Sequence, residues 1–178
     1  MRFAAPQSKQ RAARSEQIIL FRLSGQLFGL SSSSVQEVRS VDSLAGSSTE
    51  INQPSLRKVR HLLQRGDKTL YVVNAAAHFG LPSSSAGLVF VLRKTRTAIL
   101  VDGIDRMATM TQLQALPLAY CHEERGWYRG LTALDQNVLP VVNPEGFLTA
   151  DECALLDASL AAPPPQETSQ PDAPELPQ

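Results

Sequence analysis

The chain of 178 residues contains two similar halves, and this internal repeat limits the folds available to it. Residues from about 21 to 74 recur 69 positions later, from about 90 to 143. Phe21 corresponds to Phe90, and the run Val-Val-Asn at 72–74 corresponds to the same run at 141–143. Because the agreement is best at apolar positions, it indicates that a shape was duplicated. We therefore expect two copies of one small unit, with function on their surfaces and at the seam between them.

Length and charge narrow the classes of protein further. Each half alone would bury only a modest core, so we expect two intimately packed halves rather than two independent domains. Seventeen Lys and Arg residues balance seventeen Asp and Glu residues. The broad positive field that sequence-independent nucleic-acid binding uses is therefore missing, and we expect no nucleic-acid partner.

The sequence predicts a cytoplasmic protein without direct membrane insertion. Cys121 and Cys153 lack the spacing of a metal knuckle, and two cysteines cannot form a disulfide framework. The apolar run at 18–21 is too short for a signal peptide, and Arg22 interrupts it. No window approaches the roughly 18 apolar residues that a membrane-spanning helix needs.

Composition divides the chain into a central domain, residues 16–160, and two tails. Residues 1–15 are polar and basic, and residues 161–178 are rich in Pro, Gln and acidic side chains, so both are predicted to be disordered. Between them, short apolar runs separated by turn residues predict strands at 17–23, 26–30, 59–63, 69–73, 88–93, 97–101, 128–134 and 138–142. Five or so strands in each copy favour small closed barrels. We expect irregular connections at 31–34 and 40–54, with a helical turn at 35–38.

A short helix is predicted at about 150–160. Thr149 and Glu152 form a capping-box pattern, and Cys153, Leu156 and Leu160 then share one face. We expect that face to pack on the barrels. Cys153 is accordingly interpreted as a buried small side chain rather than a nucleophile.

No pattern in the sequence indicates catalysis. Cys121 and His122 are adjacent, so in an extended segment their side chains point to opposite faces. His61, His78 and His122 lack metal-ligand spacing, and nucleotide-binding glycine motifs are missing. We therefore expect no enzymatic activity, no cofactor and no metal.

Several short motifs follow one another in a fixed order across residues 17–160. They are Phe-x-Leu-x-Gly-x-x-Phe-Gly-Leu at 21–30, Val-Gln-Glu-Val at 35–38, Arg-Gly at 65–66, Val-Asp-Gly-Ile at 101–104 and Leu-Pro-Val-Val-Asn at 139–143. Their order and spacing resemble the CheW-like chemotaxis coupling proteins. The resemblance implies a mainly β fold of two intertwined five-stranded SH3-like barrels with a short C-terminal helix. The first barrel would take residues 16–85 and the second residues 86–148, with a strand exchanged between them.

The resemblance also implies partners. Proteins of this family are adaptors without catalytic activity that bridge chemoreceptors to a CheA-type histidine kinase. The expected partners are thus the regulatory domain of such a kinase and the cytoplasmic tip of a methyl-accepting chemoreceptor. A cytoplasmic adaptor of this kind would be recruited to receptor arrays at the membrane.

Site residues follow from matching the family's motifs position by position. Val35, Glu37 and Arg65 match the family's receptor-binding motifs, and Val101 and Ile104 are further receptor-binding candidates at the seam. In this family, kinase binding uses the segment after the Val-x-Glu motif, where Val41 and Leu44 are the nearest apolar candidates. Each residue also has a structural interpretation. Val35, Val101 and Ile104 are also expected in the core, Glu37 on a solvated face, and Arg65 as a fork that organises a loop.

The sequence departs from the family where an acid and an arginine are usual, since Asn74 and Ala76 stand there. Loss of both partners leaves no unpaired charge. The departure keeps open an adaptor of a non-motility or type IV pili pathway. An alternative of another class is an SH3-like module that binds proline-rich peptides, which requires several aromatic side chains on one face.

Overall fold

The structure is a computed structural model that describes residues 15–45, 48–51, 54–82, 85–120 and 122–161. Both predicted tails, residues 1–15 and 161–178, lie outside these ranges except for Ser15 and Ala161. Within the ranges, no helix is long and apolar enough to cross a membrane.

Short strands make up most of the described chain. They are β1 Glu16–Leu23, β2 Gln26–Ser31, β3 Val35–Ser40, β4 Ser48–Glu50, β5 Val59–Arg65, β6 Lys68–Asn74, β7 Leu88–Leu92, β8 Thr97–Val101, β9 Gly103–Met110, β10 Tyr128–Leu134 and β11 Asn137–Val142. The α-helices are α1 Ala75–His78, α2 His122–Trp127 and α3 Ala150–Ala161.

These strands form two sheets with the same internal order. One sheet, here the β1 sheet, has the order β10-β11-β2-β1-β9, and the other, the β7 sheet, has the order β3-β7-β8-β6-β5-β4. A shift of 69 residues converts β1, β2, β3, β5 and β6 into β7, β8, β9, β10 and β11. The mainly β, two-barrel, intertwined fold is thereby confirmed, with β4 as an additional edge strand.

The two copies exchange their first hairpins. The β1–β2 hairpin of the first copy lies in the sheet built from β9, β10 and β11, and the β7–β8 hairpin lies with β3, β5 and β6. The exchange is larger than the single strand expected, and a boundary at residues 85 and 86 does not separate the sheets. An apolar pattern of period two fixes which faces of a strand are buried, but not which strands become its neighbours.

Strand register repeats along with the sequence. The parallel pair Gly29 and Val141 in the β1 sheet corresponds to Ala98 and Val72 in the β7 sheet. Antiparallel register shifts occur between Val59 and His61 and, 69 residues later, between Tyr128 and Gly130. The duplication therefore preserved the backbone pairing as well as the side-chain pattern.

The inner strands are apolar on both faces because each sheet covers two cores. In β7, Val89 and Val91 point into the barrel formed by the β7 sheet, whereas Phe90 and Leu92 join a central cluster shared by both sheets. In β1, Ile18 and Leu20 fill the other barrel, and Ile19, Phe21 and Leu23 join the shared cluster. Alternate side chains of one strand point to opposite faces, so these continuous apolar runs are buried throughout.

Backbone hydrogen bonds close the β1 sheet into a barrel. Gln114, four residues after β9, exchanges two hydrogen bonds of 2.8 and 2.9 Å with Leu131 of β10. Since β9 and β10 are the two edges of this sheet, the bridge joins its ends. Closure removes the unpaired strand edges that favour aggregation.

Helix α3 begins as the sequence predicted and packs on the shared core. The Thr149 amide donates to Glu152 Oε2 (2.9 Å), and the Glu152 amide donates to Thr149 Oγ1 (3.1 Å). Leu156 is buried and Cys153 is partly buried against the shared cluster. Leu160 is nearly half exposed, so the apolar face is shorter than expected.

Other local predictions fail. The predicted helical turn at 35–38 is instead the start of strand β3, and a short 3₁₀ helix covers Ser32–Ser34 just before it. Strands β4 and β9 were not predicted. In β9, Ile104, Asp105, Arg106 and Met107 obscure the period-two pattern, because this edge strand is largely exposed.

Candidate functional site

Glu37 and Arg65 form an ion pair on the surface of the β7 sheet. The distance from Arg65 Nη1 to Glu37 Oε2 is 3.2 Å, and Arg39 Nε lies 3.7 Å from Glu37 Oε1. The Glu37 side chain is 39% exposed and that of Arg65 48% exposed. The carboxylate is therefore held between two guanidinium groups while part of it stays open to solvent.

This pair links two strands that are not neighbours in the β7 sheet. Glu37 lies on β3 and Arg65 ends β5, yet β7, β8 and β6 separate these strands in the sheet. The sheet must curl for their side chains to meet. At the start of β3, Arg93 Nε donates to the Val35 carbonyl (3.0 Å), which fastens β3 to the end of β7.

An ion pair of opposite polarity stands at the equivalent place in the β1 sheet. Arg106, the repeat counterpart of Glu37, pairs with Asp135, which follows β10 as Gly66 follows β5. Each barrel thus carries an ion pair in this region, with the charges reversed and one partner displaced by one position. This counterpart provides an internal reference for the role of Glu37 and Arg65.

The apolar residues assigned to receptor binding are divided between core and surface. Val35 and Val101 are buried in the shared cluster. Ile104 is 42% exposed on β9, opposite Phe21 of β1 in register. The structure therefore brings Glu37 and Arg65 together and places Ile104 on the other sheet.

Val101 and Ile104 flank the point where the chain passes between the two sheets. Strand β8 ends at Val101 and strand β9 begins at Gly103. Asp102 lies between them. Its carboxylate accepts a hydrogen bond from the Ser24 amide (2.7 Å), and the backbone amide of Asp102 donates to the Arg22 carbonyl (3.1 Å). This crossing is fixed to the β1–β2 turn and lies at the seam.

The residues assigned to kinase binding lie in one short 3₁₀ helix, Val41–Leu44, after β3. Ser40 caps it, since Ser40 Oγ accepts from the Asp42 amide (3.3 Å). Leu44 is buried inside the β7 barrel and Val41 packs at the edge of the same cluster. Both side chains anchor the segment, so its exposed face is formed by other atoms, among them those of Asp42.

Asn74, which departs from the family pattern, caps a helix. Its Oδ1 accepts from the Ala77 amide (3.0 Å) at the start of α1. Its counterpart Asn143 caps the 3₁₀ helix Pro144–Gly146 in the same way, since Asn143 Oδ1 accepts from the Glu145 amide (3.2 Å). Asn and Asp are both good N-caps, so the amide preserves this local function. Ala76 is buried and has no charge to satisfy.

A groove of about 650 Å³ lies at one end of the β7 barrel, where the β5–β6 turn, the β7–β8 loop and β3 meet. We call it the basic groove, because its charged lining residues are Arg65, Lys68, Lys94, Arg96 and one acid, Asp67. The remaining lining residues are Gln36, Thr69, Leu70, Leu92 and Thr95. Sequence analysis missed it because these residues are up to 60 positions apart.

A second groove, of about 520 Å³, is lined by aromatic rings and is here called the aromatic groove. Its aromatic lining residues are Phe28, Phe79, Tyr120 and Tyr128, beside Pro140. Ring centroids are 5.1 Å apart for Phe28 and Phe79, 5.4 Å for Phe79 and Tyr128, and 5.9 Å for Tyr120 and Tyr128. Burial raises the pKa of Tyr128 to about 12.

The described residues offer little for nucleophilic or metal chemistry. Burial raises the pKa of the Cys153 thiol, which disfavours the thiolate. Cys121 lies outside the described residues. Over the described ranges, no three His, Cys, Asp or Glu side chains lie close enough to hold a metal ion.

The architecture defines a class of protein, namely a pair of small β-barrels that exchange hairpins and carry exposed charged and aromatic grooves. The sequence model of the CheW-like domain matches residues 17–152, and the chain belongs to this family. Among solved structures, it is similar to the scaffolding protein TtCheW from Thermoanaerobacter tengcongensis, with a TM-score of 0.63 and 15% identity. That match covers 83% of this chain and 96% of the other, and at this identity it concerns the fold. A search of curated proteins gave no match.

Proposed function

We propose that the chain is a non-enzymatic adaptor that couples a chemoreceptor to a CheA-type histidine kinase. Membership of the CheW-like family supports this role, and a solved relative in fold is described as a scaffolding protein. The observation that carries the proposal is the exposed Glu37–Arg65 pair, at the positions where the family's motifs contribute to receptor binding.

The charges of this pair are available to a partner. Exposed ion pairs contribute only about 0 to 1 kcal/mol to stability, so a partner can reorganise them at little cost. A guanidinium with five donors and a carboxylate suit the polar flank of a receptor helix. We assign the receptor-contacting side chains to Glu37, Arg65 and Ile104, with Val35 and Val101 supporting them from the core.

Kinase binding is assigned to the segment that contains Val41 and Leu44. Since both side chains anchor it to the β7 barrel, the kinase would meet the exposed side of the 3₁₀ helix. An adaptor with one receptor surface and one kinase surface can hold both partners at once. After the first partner binds, binding of the second is effectively intramolecular. For short links, the effective concentration of the second partner is about a millimolar.

The test is co-sedimentation with receptor-containing membranes and pull-down with the regulatory domain of each CheA-type kinase from the same cell. Glu37→Arg and Arg65→Ala should each weaken receptor capture about tenfold or more, equivalent to about 1.4 kcal/mol. Kinase pull-down should stay unchanged, because these residues lie outside the kinase segment. The kinase that binds would identify the output, whether motility, type IV pili or another pathway.

The ion pair in the other barrel supplies the matched control. Arg106→Ala and Asp135→Arg remove the corresponding ion pair of the β1 barrel and should leave receptor capture within about twofold of wild type. Equal losses from both sets would mean that the pair acts only through barrel structure. Failure of the wild-type protein to bind any receptor and any kinase would refute the adaptor role.

One observation favours a second candidate, a module that binds proline-rich peptides. Four aromatic side chains line the aromatic groove, and aromatic-lined grooves are what polyproline II segments dock on. Titration with a decaproline peptide should then shift the ring signals of Tyr120 and Tyr128, and Tyr120→Ala should abolish the shifts. Unchanged ring signals at millimolar peptide would exclude this candidate.

A further inference from the structure

The basic groove contains two lysines whose charge the described residues leave unneutralised. Arg65 is paired with Glu37, and Arg96 is paired with Asp157. Among the described residues, no ion pair involves Lys68 or Lys94. Asp67 is the only acidic residue that lines the groove within this part of the chain. A negatively charged segment would therefore find two free ammonium groups there.

Helix α3 is hydrogen-bonded to one residue of the lining of this groove. Asp157 accepts two hydrogen bonds from Arg96, of 2.8 and 2.7 Å, so the helix is fastened to a residue of the groove lining. The helix ends at Ala161, four residues and about 6 Å of axial rise beyond Asp157. The described chain therefore ends about one helical turn beyond the residue that binds the groove lining.

The segment that follows has the complementary charge. Residues 162–178 contain Glu167, Asp172 and Glu175, six prolines and neither Lys nor Arg. Glu167 is six residues past Ala161, and a proline-rich segment spans about 3.1 Å per residue, which gives a reach of about 19 Å. A tether this short keeps the effective concentration of the carboxylates in the range of about a millimolar or above.

We propose that residues 162–178 dock in cis on the basic groove, with their carboxylates on Lys68 and Lys94. The docked segment lies beside Arg65, which is also part of the groove lining. On the proposed function, it competes with the receptor for Arg65. The contact itself stands independently of the adaptor role, because it requires only the isolated chain.

The test compares amide ¹H–¹⁵N chemical shifts of the full chain with those of the full-length triple variant Glu167→Gln, Asp172→Asn and Glu175→Gln. We expect the variant to shift the amides of Lys68, Lys94 and their neighbours and to leave the rest of the spectrum in place. Raising salt to about 1 M, where the screening length is about 3 Å, should produce the same shifts in the wild type. Lys68→Gln with Lys94→Gln should move the signals of residues 162–178, and the retained dispersion of the spectrum would show that the fold is intact.

Three outcomes would overturn the proposal. Groove amides that are identical in wild type and triple variant would show that no contact exists. Shifts confined to Tyr120, Tyr128 and their neighbours would place the segment in the aromatic groove. Shifts confined to the basic residues of positions 1–14 would show that the acidic segment pairs with the other end of the chain.

Discussion

Phe21 and Phe90 occupy the same position in the two copies of the repeat, and their rings touch edge to face, with centroids 5.7 Å apart and an interplanar angle of 70°. A second pair of counterparts is also in ring contact, with a tilted geometry. His78 and Phe147 are also 69 positions apart, and their ring centroids are separated by 5.1 Å. When equivalent residues contact each other, a local twofold axis passes between them. The shared core is therefore built around an approximate twofold axis.

The contact across this axis predicts energetic coupling between Phe21 and Phe90. Each residue is fully buried, so Phe21→Leu and Phe90→Leu should each destabilise the fold by about 1–2 kcal/mol. Because the second substitution removes a ring contact already lost, the double variant should lose less than the sum by about 0.5–1.5 kcal/mol. Urea denaturation of the four proteins measures this coupling.

A matched cycle on Phe90 and Leu20 provides the control, since Leu20 belongs to the separate core of the β1 barrel. That pair should be additive within about 0.5 kcal/mol. Additivity of Phe21 and Phe90 as well would contradict a contact across the axis.

His78 makes stability dependent on pH. It is buried among Phe79, Trp127 and Phe147, its Nε2 has no hydrogen-bond partner within the described part of the chain, and burial lowers its pKa to about 4. A pair of opposite charges, Lys58 and Glu152, lies nearby, with Lys58 lowering the pKa and Glu152 raising it.

The sign of the effect follows from the lowered pKa. The unfolded chain binds the proton from about pH 6.5 downward, whereas the folded chain resists it until about pH 4. Stability from neutral His78 is thus complete above pH 6.5 and falls by on the order of 3 kcal/mol by pH 4. His78→Phe, which copies the counterpart Phe147, should remove this part of the pH dependence in urea titrations from pH 7 to 4. Parallel curves for wild type and variant would show that His78 does not titrate as proposed.

Asp157 fastens helix α3 to the barrels. It accepts two hydrogen bonds from Arg96 and one from the Tyr71 hydroxyl, and these bonds, with that from Arg96 the largest influence, lower its pKa to about 2. The stabilisation is complete above the ordinary carboxyl pKa of 3.8 and is lost as pH falls toward 2. Asp157→Asn should destabilise the protein by about 1 kcal/mol or less, since the pair is half exposed.

Hydrogen exchange localises this effect. Asp157→Asn should accelerate exchange of the α3 amides more than exchange in β1 or β7. Glu50→Gln, an acid-to-amide change on exposed β4, should leave α3 unchanged. Uniform acceleration across the molecule would mean that α3 does not open separately.

Gly130 permits a close approach between the β9 extension and β10. A Cβ at this position, where φ is +154°, would lie 2.2 Å from the carbonyl oxygen of Gln114, which helps to close the β1 barrel. Gly130→Ala should therefore destabilise the fold by about 2 kcal/mol or more. Gly126→Ala, in α2 with open space around its Cβ position, should be neutral or stabilising by up to about 1 kcal/mol. Thermal unfolding of both variants separates steric conflict from a general intolerance of alanine.

Sequence reasoning succeeded where local patterns carry the information. The repeat between Phe21 and Asn143 predicted equivalent strands, and the Thr149–Glu152 motif predicted the start of α3. Sequence patterns could not predict which strands pair with the β1–β2 hairpin. Either copy offers an apolar partner face, and the observed pairing depends on contacts such as Gly29 with Val141, which are distant in sequence.

Prediction of the site was limited in the same way. Glu37 and Arg65 could be singled out by motif, but their pairing depends on the curl of the β7 sheet. Val101 and Ile104 are both aliphatic, and only the passage of the chain between sheets leaves one buried and the other exposed. The basic groove depends on two loops that meet in space.

The hairpin exchange also sets an order of events during synthesis. The β1–β2 hairpin leaves the ribosome early, yet Gly29 pairs with Val141, 112 residues later. At about 5–20 residues per second, the hairpin remains without that neighbour for roughly 6–20 s. The face of the hairpin that fills the β1 barrel lacks Leu139 and Val141 of β11 for that time, whereas β7 and β8 find β3, β5 and β6 already made. The β7 barrel can therefore be completed on the nascent chain before the β1 barrel, and molecular chaperones would meet the N-terminal hairpin in the interval.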